Sequence, residues 1–426
     1  MRIVAERSTL AGQARVPASK SHTIRAVLLA ALADGQSRLS SPLESLDTQA
    51  AVATAQAFGA RLAGGDEWVV DGVAGRPRVP DDVLDVLNSG TTLYFAMGTA
   101  ALCASYTVLT GDHQIRSRPA HPLLQALQAL GAEAFSTRGN GQAPLVIRGP
   151  LRGGAVSIEC PTSQYLSSLL LNCPLAEGDS SIEVLLLHER PYVEMTLGWL
   201  ARTGLRVERE GLERFRVPGG QVPQPFSARI PADFSSATFF LGAAALTGST
   251  LTLDGLDMDD TQGDKAVVGM LEQMGCTVQA ADESLTITGG ALRGAELDLN
   301  ATPDALPALA VTACFAEGET RLVNVPQARL KETDRLAALY EELTRMGGQV
   351  QELADGLVIQ GRPLHGATVD GRGDHRLVMA FAVAGLAAEG RTVVEGAEAV
   401  AVTFPNYVEL MQSVGARMRV EHDGSR

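Results

Sequence analysis

The chain has few cysteines and histidines, and none of them is arranged as a metal site or a disulfide framework. Its five cysteines, Cys103, Cys160, Cys173, Cys276 and Cys314, are an odd number and lie far apart without paired spacing. Such a set is typical of reduced thiols. The seven histidines also lack the spacing of metal ligands. We therefore predict no disulfide and no structural metal.

The chain also lacks a hydrophobic run that is typical of a membrane segment. Its longest uncharged apolar stretch, 93–110, contains Gly, Ser, Thr and Tyr, and it falls where the repeat described below requires a buried helix and a strand. The first seven residues contain no apolar signal core. With 426 residues, 45% apolar and 20% charged, the composition is that of a globular protein of two or three domains. We expect a cytoplasmic protein with no membrane partner.

Basic residues are outnumbered by acidic ones, and lysine is scarce. The formal net charge of −14 argues against nucleic acid as a partner, because binding to phosphate backbones requires a basic surface. An anionic small molecule would need a local cationic site. Of the 35 basic residues only Lys20, Lys265 and Lys331 are lysines. Two of them lie in motifs, which fits either a need for a compact ammonium group or chance retention.

A helix that ends in glycine returns about every seventy residues. The glycines at these ends are Gly59, Gly131, Gly204, Gly275, Gly347 and Gly415. A second series ends another set of apolar helices, at Gly35, Gly178, Gly248, Gly318 and Gly390, with the segment around Ser105 as a degenerate sixth member. Glycine commonly ends a helix in the left-handed conformation before a strand. The pattern predicts an α/β fold of six repeats, each a helix–strand–helix–hairpin unit.

The segments that precede the first helix of each repeat are rich in Ser, Thr, Asn, Asp and Gly. They are 18–25, 88–92, 161–164, 233–236, 302–304 and 373–376. These residues are good N-caps, but capping does not require the cationic and amide side chains Lys20, Arg25, Gln164, His375 and Arg376. If the first helices run parallel, their N-termini form an anion site. One terminus contributes only about 0.3–1 kcal/mol, whereas desolvating a charge costs several kcal/mol, so full cationic charges must join it.

A second charged segment, 328–336, is predicted to open the second helix of the fifth repeat. Lys331 and Arg335 are four residues apart, which predicts that they share one helix face. Cations at a helix N-terminus oppose the dipole, which favours an anionic ligand over a solvated charged face, the usual explanation of such runs. The equivalent place in the second repeat holds Arg116 and Arg118.

These motifs resemble those of the 5-enolpyruvylshikimate-3-phosphate (EPSP) synthase family over essentially the whole chain. The segments that carry the resemblance are 17–25, 88–92, 118–119, 163–164, 303–305, 330–336 and 374–376. The one around Lys331 is highly specific. The resemblance implies an inside-out α/β barrel with two globular domains of three repeats each. The expected domains are 1–18 with 230–426, and 19–229, with the active site in the cleft between them.

The resemblance also implies a reaction and its residues. The enolpyruvyl group of phosphoenolpyruvate would move to the 5-hydroxyl of shikimate 3-phosphate through a tetrahedral intermediate, with no cofactor. Asp304 would be the base, Glu332 the acid, and Lys20 a bridge between both substrates. The implied ligands of shikimate 3-phosphate are Lys20, Ser21, Arg25, Thr162, Ser163, Gln164, Asp304 and Lys331. The implied ligands of phosphoenolpyruvate are Lys20, Gly90, Arg118, Gln164, Arg335 and Arg376.

Some roles stay open at this point. His375 either lies next to phosphoenolpyruvate or holds Arg376, and Tyr192 either packs near the shikimate ring or belongs to the core. Two positions depart from the family pattern: many relatives have Lys where this chain has Val402, and Arg where it has Tyr94. We therefore expect a raised Michaelis constant for phosphoenolpyruvate and an altered response to glyphosate, a candidate inhibitor. We expect a monomer.

Two other functions compete with this interpretation. The related enolpyruvyl transferase that acts on UDP-N-acetylglucosamine would require a reactive cysteine in the loop 111–118, which has none. A non-catalytic anion-binding relative would fit the loss of cations at Val402 and Tyr94. Retention of both proposed proton-transfer carboxylates and of Lys20 argues against it.

Overall fold

The computed structural model describes residues 1–65 and 67–422. Backbone proximity divides the chain into two units. The N-terminal unit is Ala18–Ile230, and the C-terminal unit combines Met1–Pro17 with Pro231–Arg426. The chain passes from one unit to the other twice, after Pro17 and after Ile230.

The described residues form twelve α-helices, 24 strands and six short 3₁₀ helices. The helices are α1 (Lys20–Leu32), α2 (Leu46–Ala57), α3 (Gly90–Ala100), α4 (His121–Ala129), α5 (Ser163–Asn172), α6 (Arg190–Arg202), α7 (Phe234–Thr247), α8 (Val267–Gln273), α9 (Leu306–Cys314), α10 (Arg335–Arg345), α11 (His375–Gly385) and α12 (Tyr407–Ser413). The 3₁₀ helices are Ile115–Ser117, Cys173–Leu175, Gly263–Ala266, Pro303–Ala305, Pro326–Leu330 and Ala397–Val402.

The strands are short, from two to eight residues long. They are β1 (Arg2–Glu6), β2 (Ala11–Arg15), β3 (Gln36–Ser40), β4 (Arg61–Ala63), β5 (Glu67–Asp71), β6 (Leu84–Asp85), β7 (Thr107–Thr110), β8 (Glu133–Ser136), β9 (Leu145–Arg148), β10 (Gly154–Cys160), β11 (Ser180–Leu187), β12 (Glu208–Glu210), β13 (Arg214–Val217), β14 (Ser227–Arg229), β15 (Thr250–Asp254), β16 (Thr277–Ala281), β17 (Ser284–Thr288), β18 (Glu296–Asp298), β19 (Glu319–Val323), β20 (Gln349–Leu353), β21 (Gly356–Gln360), β22 (Thr368–Asp370), β23 (Arg391–Glu395) and β24 (Arg417–Glu421).

Each repeat contains one four-stranded sheet, and all six sheets share one topology. In the second repeat β6 is parallel to β7, β7 is antiparallel to β9, and β9 forms a hairpin with β8. The six sheet orders are β14-β3-β5-β4, β6-β7-β9-β8, β10-β11-β13-β12, β2-β15-β17-β16, β18-β19-β21-β20 and β22-β23-β1-β24. The prediction of six α/β repeats is therefore confirmed within the described residues.

Strands from distant parts of the sequence complete three of the sheets. β1 pairs with β23 and β24 and so closes the sixth repeat. β2 lies parallel to β15 in the fourth repeat, and β14 lies parallel to β3 in the first. Since β2 is followed by α1, and β14 by α7, the chain changes unit at a strand-to-helix connection both times.

The first helix of each repeat is buried on almost all sides. In α1, α3, α5, α7, α9 and α11 nearly every residue is shielded from solvent. A helix that is apolar all round must lie inside a core. In the C-terminal unit α7, α9 and α11 contact one another, and in the N-terminal unit α3 contacts both α1 and α5. No helix among the described residues is long and apolar enough to cross a bilayer.

The predicted helix ends are largely confirmed. All six glycines of the first series have positive φ, and so do four of the five in the second. Gly178 is the exception, because α5 ends at Asn172 and continues as the 3₁₀ turn Cys173–Leu175. Pro174 lacks the N–H that an α-helix would need there, so the chain tightens and leaves the helix before Gly178.

Two glycines of the C-terminal unit allow a matched test of helix termination. Gly248 ends α7 at φ 64° and ψ 28°, whereas Gly269 lies on the exposed side of α8. A Cβ at either position meets no atom within 4 Å. Gly248→Ala should lower the free energy of unfolding by about 1 kcal/mol, because left-handed backbone is unfavourable for alanine. Gly269→Ala should raise it by about 0.5 kcal/mol through helix propensity.

Urea unfolding followed by far-UV circular dichroism measures both changes against the unmodified chain. Equal shifts in the same direction would contradict the assignment of Gly248 as a left-handed helix end.

Candidate active site

The predicted site residues divide into two clusters, one in each unit, in or close to the first turns of helices. The N-terminal cluster comprises Lys20, Ser21, Arg25, Gly90, Arg118, Thr162, Ser163 and Gln164. The C-terminal cluster comprises Asp304, Lys331, Glu332, Arg335, His375 and Arg376. Each cluster is described within its own unit.

Helix starts bring the N-terminal cluster together. α1 begins at Lys20, α3 at Gly90 and α5 at Ser163. The Gln164 side-chain amide donates to the Thr91 hydroxyl at 2.7 Å, which joins the starts of α5 and α3. Free N–H groups at these helix ends favour anions. The predicted gathering of helix N-termini therefore holds for α3 and α5.

Lys20 is paired with a carboxylate that the sequence did not reveal as part of the site. Its Nζ lies 3.0 Å from Oδ2 of Asp47, in the first turn of α2. The side chains are only 16% and 6% exposed, so the pair is shielded from water. Asp47 lies 27 positions along the chain, and only its place after the capping Ser45 hints at a helix start. The ion pair holds the ammonium group in one position.

Arg25 is a fully buried cation held by three hydrogen-bond acceptors. Its Nε donates to the Thr196 hydroxyl at 2.9 Å, and its Nη atoms donate to the carbonyl oxygens of Ser21 at 3.0 Å and Tyr192 at 3.2 Å. Burial lowers the pKa of Arg25 to about 10, with Tyr192 and Glu189 raising it in part. The guanidinium therefore remains charged at neutral pH. Tyr192 contributes its backbone carbonyl here.

A buried glutamate fixes the start of α5. Glu189 accepts hydrogen bonds from the Ser163 hydroxyl at 2.8 Å, the Ser163 amide at 3.1 Å and the Thr162 hydroxyl at 3.2 Å. Its backbone has a left-handed φ of 58°. Sequence reasoning missed Glu189, because neither its type nor its spacing marks it as a partner of residues 26 and 27 positions earlier. It orients two hydroxyls that were predicted as ligands.

Gly90 is needed because a guanidinium occupies the space beside it. A Cβ at Gly90 would lie 2.1 Å from Nη1 of Arg118. Arg118 is buried, and its backbone is extended at φ −72° and ψ 135°, as expected for a residue before proline. The first residue of α3 and the Arg118 side chain are therefore in direct contact.

Arg335 is the centre of the C-terminal cluster. It is 1% exposed, and its guanidinium donates to three carboxylates. The distances are 2.7 Å from Nε to Asp374, 2.8 Å from Nη1 to Asp304 and 2.7 Å from Nη2 to Glu332. Burial acts to lower the pKa of Arg335, but Asp374, Glu332 and Asp304 together raise it above its usual range. The group therefore stays charged despite its burial.

Asp304 joins a second arginine to this network. One carboxylate oxygen accepts from Arg335, and the other lies 3.0 Å from Nη2 of Arg376. Asp374, the N-cap of α11, also accepts from the Arg376 amide at 2.9 Å. His375 is buried in the first turn of the same helix. The predicted base and two predicted phosphoenolpyruvate ligands are thus in contact within one unit.

The predicted shared helix face of Lys331 and Arg335 is wrong. α10 begins only at Arg335, and Lys331 and Glu332 lie in the loop before it. Asp334 caps the helix by accepting from the Ala337 amide at 3.1 Å, which fixes its first residue. The preceding turn Pro326–Leu330 is a separate 3₁₀ helix. The adverse charge at the helix start is offset here by three carboxylates of the protein, whereas a ligand was expected.

Arg329 holds this loop against the neighbouring hairpin. Its Nη1 lies 2.7 Å from both Asp334 and Glu352, and Nε and Nη2 donate to the carbonyls of Ala354 and Leu353 at 2.9 and 2.6 Å. Sequence reasoning did not single it out, although it lies two residues before Lys331. It fixes both ends of the turn that carries Lys331 and Glu332.

Of the two positions expected to depart from the family pattern, Tyr94 makes a structural hydrogen bond. Tyr94 is buried in α3, and its hydroxyl donates to the Pro119 carbonyl at 2.8 Å. Val402 is partly buried at the end of the 3₁₀ helix Ala397–Val402. The cysteines are all buried, and burial raises the pKa of Cys103 to about 12. Cys103 is therefore protonated at neutral pH, which argues against a thiolate nucleophile.

Comparison with known proteins shows the family of the chain. Residues 4–411 match the family model of EPSP synthase (3-phosphoshikimate 1-carboxyvinyltransferase). The chain belongs to the EPSP synthase family. Among curated family members, the 3-phosphoshikimate 1-carboxyvinyltransferases of Acetivibrio thermocellus and Ruminiclostridium cellulolyticum are similar to it. They are 52% and 50% identical, covering 98% and 97% of this chain and 99% of each relative.

Solved structures of the family share the fold. EPSP synthase from Acinetobacter baumannii superposes with a TM-score of 0.83 at 27% identity. The match covers 99% of this chain and all of that one. A second structure of the same enzyme gives 0.82 at 26% identity. The expected α/β fold of this family is therefore confirmed across all six repeats.

The Arg335 network predicts a strong dependence of stability on Asp374. Asp374 is fully buried and accepts from two atoms of Arg335 and from one backbone amide. Asp374→Asn keeps its size but removes one of the charges that compensate a buried guanidinium. Breaking a buried pair costs about 3–5 kcal/mol, so the free energy of unfolding should fall by about 3 kcal/mol.

The control is Glu210→Gln, which removes one partner of the exposed Arg214–Glu210 pair. In urea unfolding the free energy of unfolding of this variant should equal that of the unmodified chain, because an exposed ion pair contributes little. A loss for Asp374→Asn no larger than that of the control would contradict the central role of the buried network.

Proposed function

We propose which residues of this chain carry out the reaction for which its family is named. As an EPSP synthase family member, the chain transfers the enolpyruvyl group of phosphoenolpyruvate to the 5-hydroxyl of shikimate 3-phosphate. Phosphate is released, in the shikimate pathway of aromatic amino-acid biosynthesis. The match over residues 4–411 carries this conclusion. The residue roles below rest on the contacts of the two clusters and on the family resemblance.

The reaction needs an addition followed by an elimination. In the addition the 5-oxygen bonds to C2 of phosphoenolpyruvate, its proton leaves to a base, and the methylene carbon C3 takes a proton from an acid. In the elimination C3 loses a proton, the C2–O bond to the phosphate breaks and the C2–C3 double bond forms again. Asp304 is the base for the hydroxyl, and Glu332 is the acid for C3. Both carboxylates contact Arg335, which supports their action at one place.

Substrate binding supplies a way to prepare these carboxylates. Arg335 and Arg376 pair with Asp304 and Glu332 in the structure. Arginine binds phosphate and carboxylate groups through two parallel hydrogen bonds. When phosphoenolpyruvate binds the two guanidinium groups, Asp304 and Glu332 lose part of their ion pairing and can exchange protons. Phosphoenolpyruvate thus replaces the protein carboxylates as the ion-pair partner of Arg335 and Arg376.

The N-terminal cluster holds the rest of both substrates. Ser21, Arg25, Thr162, Ser163 and Gln164, with Lys331 of the other cluster, bind shikimate 3-phosphate. Gly90, Arg118 and Gln164 bind phosphoenolpyruvate with Arg335 and Arg376. Lys20 bridges both substrates and stabilises the tetrahedral intermediate electrostatically. Its ion pair with Asp47 supports this role, because it fixes the ammonium group in advance.

We further propose that the two clusters act on the same substrates across a cleft between domains 1–18 with 230–426 and 19–229. The reaction supports this, because Lys20 and Asp304 must reach one pair of reactants. We also propose that the enzyme works as a cytoplasmic monomer without cofactor, and that glyphosate is an inhibitor.

An acceptor assay tests this function and its catalytic residues. Phosphate release from phosphoenolpyruvate should occur with shikimate 3-phosphate and not with UDP-N-acetylglucosamine. Asp304→Asn and Glu332→Gln should each lower kcat by about 100-fold or more, because a positioned acid or base typically contributes that much. Asp355→Asn, the same change at an exposed hairpin residue, should match the unmodified enzyme.

Release with UDP-N-acetylglucosamine alone would assign the chain to the related transferase. Release with neither acceptor would indicate a non-catalytic relative. Glu332→Gln at the unmodified rate would remove Glu332 from the mechanism. The same assay gives the Michaelis constant for phosphoenolpyruvate, which we expect to exceed that of relatives with Lys in place of Val402.

Gly90 provides a specific test of phosphoenolpyruvate binding. In Gly90→Ala the new methyl group would overlap Nη1 of Arg118 and displace the guanidinium. A charge-assisted hydrogen bond contributes about 1.5–3 kcal/mol, so KM for phosphoenolpyruvate should rise about tenfold or more. KM for shikimate 3-phosphate should change little.

Gly198→Ala is the matched control, because Gly198 is an exposed residue of α6 and a Cβ there meets no atom within 4 Å. Equal Michaelis constants for both substrates in the two variants would contradict the placement of Arg118 at the phosphoenolpyruvate site.

A further inference from the structure

One face of α3 contacts the turn that carries Arg118 at two places, Gly90 and Tyr94. Gly90 and Tyr94 are four residues apart and so lie on the same side of the helix, one turn from each other. Gly90 leaves room for the Arg118 guanidinium, since a Cβ there would lie 2.1 Å from Nη1. Tyr94 reaches the backbone of the same turn, and its hydroxyl donates to the Pro119 carbonyl at 2.8 Å. The helix therefore contacts both the side chain and the backbone of the turn.

A second tyrosine makes the same contact from another helix. Tyr165 of α5 donates its hydroxyl to the Pro119 carbonyl at 2.5 Å. The two rings meet edge to face, with centroids 5.0 Å apart at 81°. A carbonyl oxygen has two lone pairs, so it can accept from both phenols at once. Tyr94 and Tyr165, here called the tyrosine pair, are both buried.

Tyr165 stays protonated at neutral pH and can donate its hydroxyl hydrogen. Burial, together with the neighbouring Tyr94, raises the pKa of the Tyr165 phenol above its usual range. Both helices start in the N-terminal cluster, α3 at Gly90 and α5 at Ser163. The carbonyl is therefore tied to two elements that also carry predicted substrate ligands.

Holding this carbonyl restricts Arg118 through the covalent geometry of proline. The pyrrolidine ring fixes φ of Pro119 near −65°. The residue before a proline is confined to extended backbone, and Arg118 has φ −72° and ψ 135°. With the 119 carbonyl held, only ψ of Pro119 is a soft rotation between the anchored oxygen and the Arg118 backbone. The Arg118 backbone, from which the guanidinium side chain extends, is therefore restricted in position.

We propose that Tyr94 and Tyr165 are positioning residues that preset Arg118 for phosphoenolpyruvate. The inference rests on the proposed function, in which Arg118 binds that substrate. It gives Tyr94 a role of its own. The tyrosine stands where many relatives have an arginine, and its hydroxyl helps to fix the direction of the Arg118 side chain. Two phenols on one carbonyl also exceed what satisfying a single partly buried acceptor requires.

Removing the hydroxyls while keeping the rings tests the inference. Tyr94→Phe and Tyr165→Phe should each raise KM for phosphoenolpyruvate by about twofold, because one donor still holds the carbonyl. The double variant should raise it about tenfold, more than the product of the single effects, because it removes the last donor. KM for shikimate 3-phosphate and kcat should stay close to those of the unmodified enzyme, and Tm should fall by a few degrees at most through the loss of the hydrogen bonds.

Tyr106→Phe is the control, because the exposed Tyr106 donates to Glu133 away from this turn. An unchanged KM for phosphoenolpyruvate in the double variant would overturn the inference. So would a parallel rise of both Michaelis constants with a larger fall in Tm, which would indicate loss of packing. Both outcomes require an unmodified enzyme that is active. Failure of the proposed function would instead appear as no turnover of the unmodified enzyme with either acceptor, so the two failures can be distinguished.

Discussion

The C-terminal cluster depends on one buried guanidinium. Arg335 is the first residue of α10, and it contacts Asp304 beside the start of α9 and Asp374 at the cap of α11. Isolating such a charge from water costs several kcal/mol, so its carboxylate partners cannot be exchanged freely. One side chain thus ties the starts of three helices together. The same contacts hold the proposed base and acid within reach of one cation, so stability and chemistry share their residues.

The repeat pattern was predictable because it depends on local features of the sequence. Glycines that end helices and apolar runs of helical length are read from neighbouring residues, and the six-repeat organisation follows from them. The two errors have local causes that compete with these signals. Pro174 ended α5 before Gly178 was reached, and the Asp334 cap started α10 later than the charged segment suggested.

The site was predictable only in part. Motif residues such as Gly90, Arg118 and Arg335 are named by a resemblance that spans the chain. Their partners Asp47 and Glu189 contact Lys20 and Ser163 across separations of 27 and 26 residues. No spacing rule connects such pairs, because the contact arises from how two helices or loops pack. Tyr94 was read as a missing charge, and its hydrogen bond to Pro119 becomes visible only in three dimensions.

The chain passes between the two units twice, and this determines the order in which the units obtain all their strands during synthesis. The N-terminal unit has all its strands once β14 has left the ribosome. The opening segment behaves differently, because β2 waits for β15 and β1 waits for β23 and β24, made almost four hundred residues later. One half can therefore close on itself while the first strands still lack partners. β1 and β2 are made before the other strands described here and are among the last of them to be paired.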